Sequence, residues 1–238
     1  MGGPGLGRTV QSSRSRAYKG YSSIGSVELF DDFLGDLIED GWTVAADTGG
    51  SVNCGTAAES GVVTLTTDGT DDDVVSVAHE LNWYGRRGCM MEARVKWDVV
   101  TTLGFFIGFS DAKSEAGSTM PAALSGTSYT TTATDALGFL FDTDATTDTI
   151  RCIGVANDVD ATHVDSALSP SAGVYATFRV HVTSAGVATF YIDDVLVGTV
   201  AGAVTSTVAL TPYVGHKNMS AAAHVGSLDY IYCAQSRT

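Results

Sequence analysis

The sequence predicts an all-β protein whose antiparallel strands form a two-sheet sandwich or a barrel. Three observations carry this. Short runs rich in β-branched and aromatic residues recur at hairpin spacing between Gly and Asp turn clusters. One long run, 89–99, alternates with a period of two. No window after residue 26 sustains the 3.6-residue apolar period of a long helix.

The first predicted strands are 27–33, 42–46 and 61–67, the last containing the β-branched run Val62-Val63-Thr64-Leu65-Thr66. Asp68-Gly69 is a hairpin-type turn signal, and 74–78 is read as the returning strand. A short helix is expected over 32–39. In 89–99, Met91, Ala93, Val95 and Trp97 share one face, while Glu92, Arg94, Lys96 and Asp98 share the other, so one face is buried and one wet. The run 103–109 is continuously apolar, as in a central strand. Runs 137–141 and 149–155 flank an Asp/Thr-rich turn. In 175–182, Phe178, Val180 and Val182 point inward and His181 outward. Runs 188–192 and 195–200 form a hairpin across Asp193-Asp194, and 210–215 and 227–234 close the chain. The longest loop-like stretch is 110–134, a length that marks functional or mobile loops.

The 238 residues hold 44% apolar side chains, enough for a sizeable core. Charged residues make up 17%, below the roughly 25% usual in globular chains, and Thr, Ser, Gly and Ala fill the remainder. Such a surface suits β proteins that pack against neighbours. The net charge is −14; residues 1–26 hold Arg8, Arg14, Arg16 and Lys19 and no acid, so they carry +4 and the rest −18. An acidic body repels nucleic acid and anionic membranes, so neither is an expected partner. A basic segment ahead of an acidic body is an interaction signature, the plain alternative being a solubilising tail. We therefore expect an extended basic N-terminal arm over 1–26 and one sandwich over 27–238. The arm is too polar to offset its own ordering entropy, so its order must come from a docking surface outside its own globule. Arg8, Arg14, Arg16, Lys19, Tyr18 and Tyr21 are its candidate contacts.

No stretch approaches the ~20 apolar residues of a membrane span. The opening residues lack the apolar run of a secretory signal, and Leu6 breaks the myristoylation pattern, so synthesis in the cytoplasm is expected. Cys54, Cys89, Cys152 and Cys233 are widely spaced, with no C-x-x-C, which argues against zinc. Buried free thiols are the favoured reading, and spacing assigns no disulfide.

The run Ala188-Thr189-Phe190-Tyr191-Ile192-Asp193-Asp194-Val195-Leu196-Val197-Gly198-Thr199 resembles a hairpin of concanavalin A-like jelly rolls, in the laminin-G and glucanase-like branch. Asp194 stands where that family usually has Gly. Leu228-Asp229-Tyr230-Ile231-Tyr232 resembles the family's closing strand, and Phe30-Asp31-Asp32-Phe33 with Gly41-Trp42 its opening. The resemblance spans about 27–233 and implies a two-sheet antiparallel jelly-roll sandwich. The layout of arm plus sandwich also resembles jelly-roll proteins that decorate tailed-phage particles.

A glucanase of this family would carry Glu-x-Asp-x-Glu or Glu-x-Asp-x-x-Glu on one strand, which alternation would aim at the concave face. No such run exists, nor any Gly-x-Ser-x-Gly elbow, and the five histidines are dispersed, so no catalytic residue is expected. Trp83, Tyr84, Arg86 and Arg87 form an aromatic–basic cluster, read as a ligand or interface patch or as a turn with Trp83 in the core. Asp142, Asp144 and Asp148 place oxygens at near-alternate positions, as calcium ligands or as an Asx-rich turn; no other cofactor is expected.

These readings lead to a non-enzymatic structural virion protein, a capsid decoration or cement protein. Its expected partners are the major capsid protein or other virion subunits, with copies of itself alongside on the particle, and its expected location is the virion. The first alternative is a carbohydrate-binding module of a phage fibre or adhesin, with glycan as ligand. The second is a divergent glycoside hydrolase.

Overall fold

Short strands with one apolar face are stable only when that face is covered, and this chain covers it with a second sheet. The computed structural model describes residues 25–34, 41–55, 61–115 and 119–237. The arm contacts Arg8, Arg14, Arg16, Lys19, Tyr18 and Tyr21 lie outside these residues, as does most of the expected 32–39 helix; residues 32–34 are irregular. In chain order the strands are β1 (Ser26–Asp31), β2 (Thr43–Ala46), β3 (Ser51–Cys54), β4 (Val63–Thr66), β5 (Val74–Ala78), β6 (Met90–Trp97), β7 (Leu103–Ser110), β8 (Ala122–Ser125) and β9 (Ser128–Thr131). There follow β10 (Ala136–Asp142), β11 (Arg151–Ala156), β12 (Val159–Asp160), β13 (Val164–Asp165), β14 (Ala176–Val182), β15 (Ala188–Ile192), β16 (Val195–Val200), β17 (Thr211–Asn218) and β18 (Val225–Ser236).

Sheet A runs β16–β15–β14–β6–β18–β4–β3, with β1 also paired to β18. Sheet B runs β12–β11–β10–β7–β17–β5–β2, with β13 paired to β11. The two-sheet antiparallel sandwich expected from the sequence is what the chain forms. Period two in β6 and β14 buries Met91, Ala93, Val95, Trp97, Phe178, Val180 and Val182 between the sheets. At the centre of this core Trp97 stacks on Phe105 with centroids 4.1 Å apart. Phe178 stands edge-on to Trp97, Phe105 and Phe139. The four cysteines are buried. Burial pushes the Cys89 thiol up to about 12, which leaves it unreactive.

The Asp193-Asp194 hairpin forms as expected. Both residues are left-handed (φ 48° and 65°), which Asp tolerates, and the Asp193 carboxylate accepts the Thr177 N–H at 2.8 Å. The Asp68-Gly69 hairpin does not form: β4 belongs to sheet A and β5 to sheet B. The 67–73 segment crosses between sheets, pinned where Asn218 Nδ2 donates to the Asp68, Ser220 and Ala222 carbonyls. The unalternating sequence of β5, buried throughout, marks a strand covered on both faces rather than the partner of half-exposed β4.

The 110–134 stretch, expected as a loop, contains the hairpin β8–β9, and this hairpin roofs the outer face of sheet B. Met120, Ala122, Leu124 and Ala133 pack there on Phe106, Leu140, Ile153 and Tyr213. Glycines level the floor beneath the rings. A Cβ on Gly138 would lie 2.9 Å from Phe106 Cζ and 2.4 Å from the Ile107 carbonyl oxygen, and one on Gly215 would lie 2.8 Å from the Tyr213 ring. We expect Leu124→Ser to loosen the roof, lowering stability by about 2–4 kcal/mol in urea titration, because it removes a buried side chain and buries a hydroxyl.

His216 lies buried between the sheets, and burial lowers its pKa to about 4. The unfolded chain protonates there near 6.5, so this residue's contribution is intact above pH 6.5 and is lost as pH falls toward 4. Four carboxylates whose pKa burial raises, Asp73, Asp111, Glu115 and Asp142, act in the opposite sense, because the folded chain takes up their protons first. His216→Gln isolates the histidine. Between pH 7 and pH 4 the parent should lose about 3 kcal/mol relative to the variant by urea midpoints.

Candidate functional site

The outer face of sheet A carries a cluster of aromatic and charged side chains. Alternation turns Glu92, Arg94 and Lys96 of β6 outward, with Arg179 of β14, Tyr191 of β15, Tyr232 of β18 and Phe30 of β1. Register aligns them: Phe30, Tyr232, Glu92, Arg179, Tyr191 and Leu196 face one another in turn across six strands. A bulge in β18 shifts the register between Leu228 and Tyr230. The extra residue lets Asp229 and Tyr230 both leave the core, Leu228 and Ile231 on either side staying buried.

Polar contacts knit this row together. Tyr230 Oη donates to Glu92 Oε1 at 2.8 Å, and Arg179 Nη1 donates to Glu92 Oε2 at 3.2 Å and to Asp194 Oδ1 at 2.7 Å. Arg94 Nη1 donates to Asp229 Oδ2 at 2.5 Å. Arg94 and Lys96 both lie over the Tyr175 ring, at 4.2 and 4.7 Å, and Arg179 lies over Tyr191 at 4.7 Å. Burial, then the Glu92 carboxylate, pushes the Tyr230 phenol up to about 12. Burial opposes charge on Arg179, but Asp194 and Glu92 outweigh it and hold the guanidinium above its usual value. Rings and guanidinium groups held this way present broad area at low entropic cost, the chemistry of protein interface anchors.

The predicted Trp83 patch divides. Trp83 is 3% exposed and packs against Phe109, so it is a core residue and not part of a surface patch. Its large apolar ring outweighs the polar turn that follows. Tyr84, Arg86 and Arg87 stay at the surface on the 3₁₀ turn Gly85–Arg87, with the two guanidinium groups 5.0 and 5.2 Å from the Tyr84 ring. Asp142 is buried; its Oδ1 accepts the Asp144 N–H at 3.0 Å and its Oδ2 the Leu124 N–H at 3.3 Å, which fastens the roof to sheet B. Asp144 and Asp148 are exposed, and no group of three acidic, His or Cys residues among the described residues is placed to hold a metal.

On the outer face of sheet B, the central strands β7, β10 and β17 place one carboxylate, Asp142. Beside the roof lie two adjoining cavities of about 200 and 380 Å³ that share Val74 and Thr119.

No protein-family model matches the chain, and no curated relative matches it. Solved structures do. The chain is similar to a Bacillus licheniformis β-glucanase at 13% identity, covering 86% of this chain and 96% of that one, with a TM-score of 0.58. It is similar to peanut lectin at 14% identity, covering 90% and 99%, TM-score 0.55. A Shewanella oneidensis protein of unknown function matches at 11% identity, covering 90% and 88%, TM-score 0.56. The fold is the concanavalin A-like jelly roll that the hairpin and closing strand resemble.

Proposed function

We propose that the chain is a non-enzymatic structural protein of a virion, a capsid decoration protein that docks on particle subunits through the outer face of sheet A. The observation that carries this is the division of labour between the sheets. Sheet B is roofed by its own hairpin, whereas sheet A presents an ordered row of rings and paired charges. Glycoside hydrolysis needs two carboxyl groups roughly 5–9 Å apart beside an open subsite, and Asp142 is both alone on the central strands and engaged by two backbone amides. The basic segment ahead of an acidic body supports attachment to a larger assembly. The test is co-sedimentation with purified virus particles alongside an assay on β-glucans. Sedimentation without sugar release is expected; release of reducing sugar, or no particle binding, defeats the reading.

Tyr175, Tyr191, Tyr230, Tyr232 and Phe30 on one face also favour a second reading, glycan recognition by ring stacking. A glycan array separates the two, with Tyr191→Ala as the informative control, since Trp83→Ala would perturb the core instead.

A further inference from the structure

We infer that the two cavities beside the roof form one groove that receives residues 1–24 of a second copy of this chain. The groove follows β5 and the end of β17. Its walls are Val74, Met120 and Ala123, its hydroxyls come from Ser76, Thr119 and Thr130, and Glu115 and Asp72 stand at its two ends. The exposed or half-exposed carboxylates Asp47, Asp68, Asp71 and Asp72 flank it, and Lys217, the lining cation, is already held by Asp72 at 2.9 Å. The groove is thus acidic at its rim, with apolar residues in its wall.

Residues 1–24 match it in charge and composition. They carry Arg8, Arg14, Arg16 and Lys19 with no acid, are rich in Gly and Ser, and offer Tyr18 and Tyr21 for the apolar wall. Fully extended they span about 80 Å. They join the sandwich at Gly25, whose carbonyl accepts the Arg237 N–H at 2.7 Å beside the C-terminal end of β18. The groove lies on the opposite sheet and runs along the strands, its Asp72 end beside Asn218 near the turn that enters β18 at Val225 and its Glu115 end held by Ser110 at the last residue of β7. With exit on sheet A and receptor on sheet B, an arm returning to its own copy has to wrap the edge of the sandwich, whereas a neighbouring copy presents the groove without that detour, which favours a contact between copies. This inference is independent of the sheet A face.

The test uses the full chain. One population carries Arg16→Cys and another Thr130→Cys, the four native thiols being buried. Mixed and oxidised at low salt, they should give a cross-linked pair containing one of each. The yield should fall at least 10-fold at ~1 M salt, where the screening length is about 3 Å. Arg14→Asp/Lys19→Asp in the first population, which leaves the sandwich unchanged, should lower it by a similar factor. The inference is overturned by no cross-link, by a yield indifferent to salt and to the arm substitutions, or by a doubly substituted chain that closes on itself at every concentration. Loss of particle binding in a sheet A variant with the cross-link intact would separate the two proposals.

Discussion

Phe178→Ala should cost about 3–5 kcal/mol of stability and lower the melting temperature by about 10 °C, as read by calorimetry or circular dichroism. Phe178 joins the two sheets. It projects from β14 of sheet A and is fully buried, edge-on to Trp97 of its own sheet and to Phe105 and Phe139 of sheet B. Truncation leaves a cavity bounded by three aromatic rings, where neighbouring strands are held by continuous ladders and relax little. The loss is a large fraction of the 5–15 kcal/mol that keeps ordinary domains folded. Phe178→Leu, which retains most of the volume, should lose clearly less. Equal losses for the two variants would show that the site tolerates collapse and that this cluster does not hold the sheets together.

Arg179→Glu should weaken particle binding at least ~30-fold while the sandwich stays folded. The guanidinium bridges Glu92 to Asp194 and covers Tyr191, so it fixes the middle of the outward row. A carboxylate there removes both ion pairs and adds a third negative group between two others. Because these groups sit at the surface, the folding cost is only about 1 kcal/mol. At a desolvated interface the same change leaves unpaired charge, which is far more costly. Lys113→Glu breaks a pair of similar length, with Glu80 at 2.7 Å, outside this face, and should leave particle binding unchanged. Equal weakening by both variants would indicate a general charge effect in place of a docked face.

Much of the fold is legible in the residues themselves. Alternation in 89–99 and 175–182 gives the inward set of sheet A, and the unbroken apolar run of 103–109 gives the central strand of sheet B. The crossing at 67–73 is hidden because a turn signal states that the chain reverses, not which sheet receives it. The roof is hidden because Ser125–Ser128 and the Thr run read as loop chemistry, although Met120, Ala122 and Leu124 alternate. The candidate face is the least legible part. Glu92, Arg94 and Lys96 are visible as a wet stripe, but that Tyr230, Tyr232, Arg179 and Tyr191 join them depends on register and on one bulge, which are properties of pairing rather than of any one strand. Trp83 shows the converse case, since local composition allows an exposed cluster or a turn with the ring in the core, and burial decides for the core.

Hydroxyl-radical footprinting of Tyr191, Tyr230 and Tyr232, compared between the free protein and the particle-bound protein, tests the docking of sheet A most directly. Strong loss of reactivity at all three on the particle is the predicted result; bound protein in which these rings react as fast as they do in solution contradicts it.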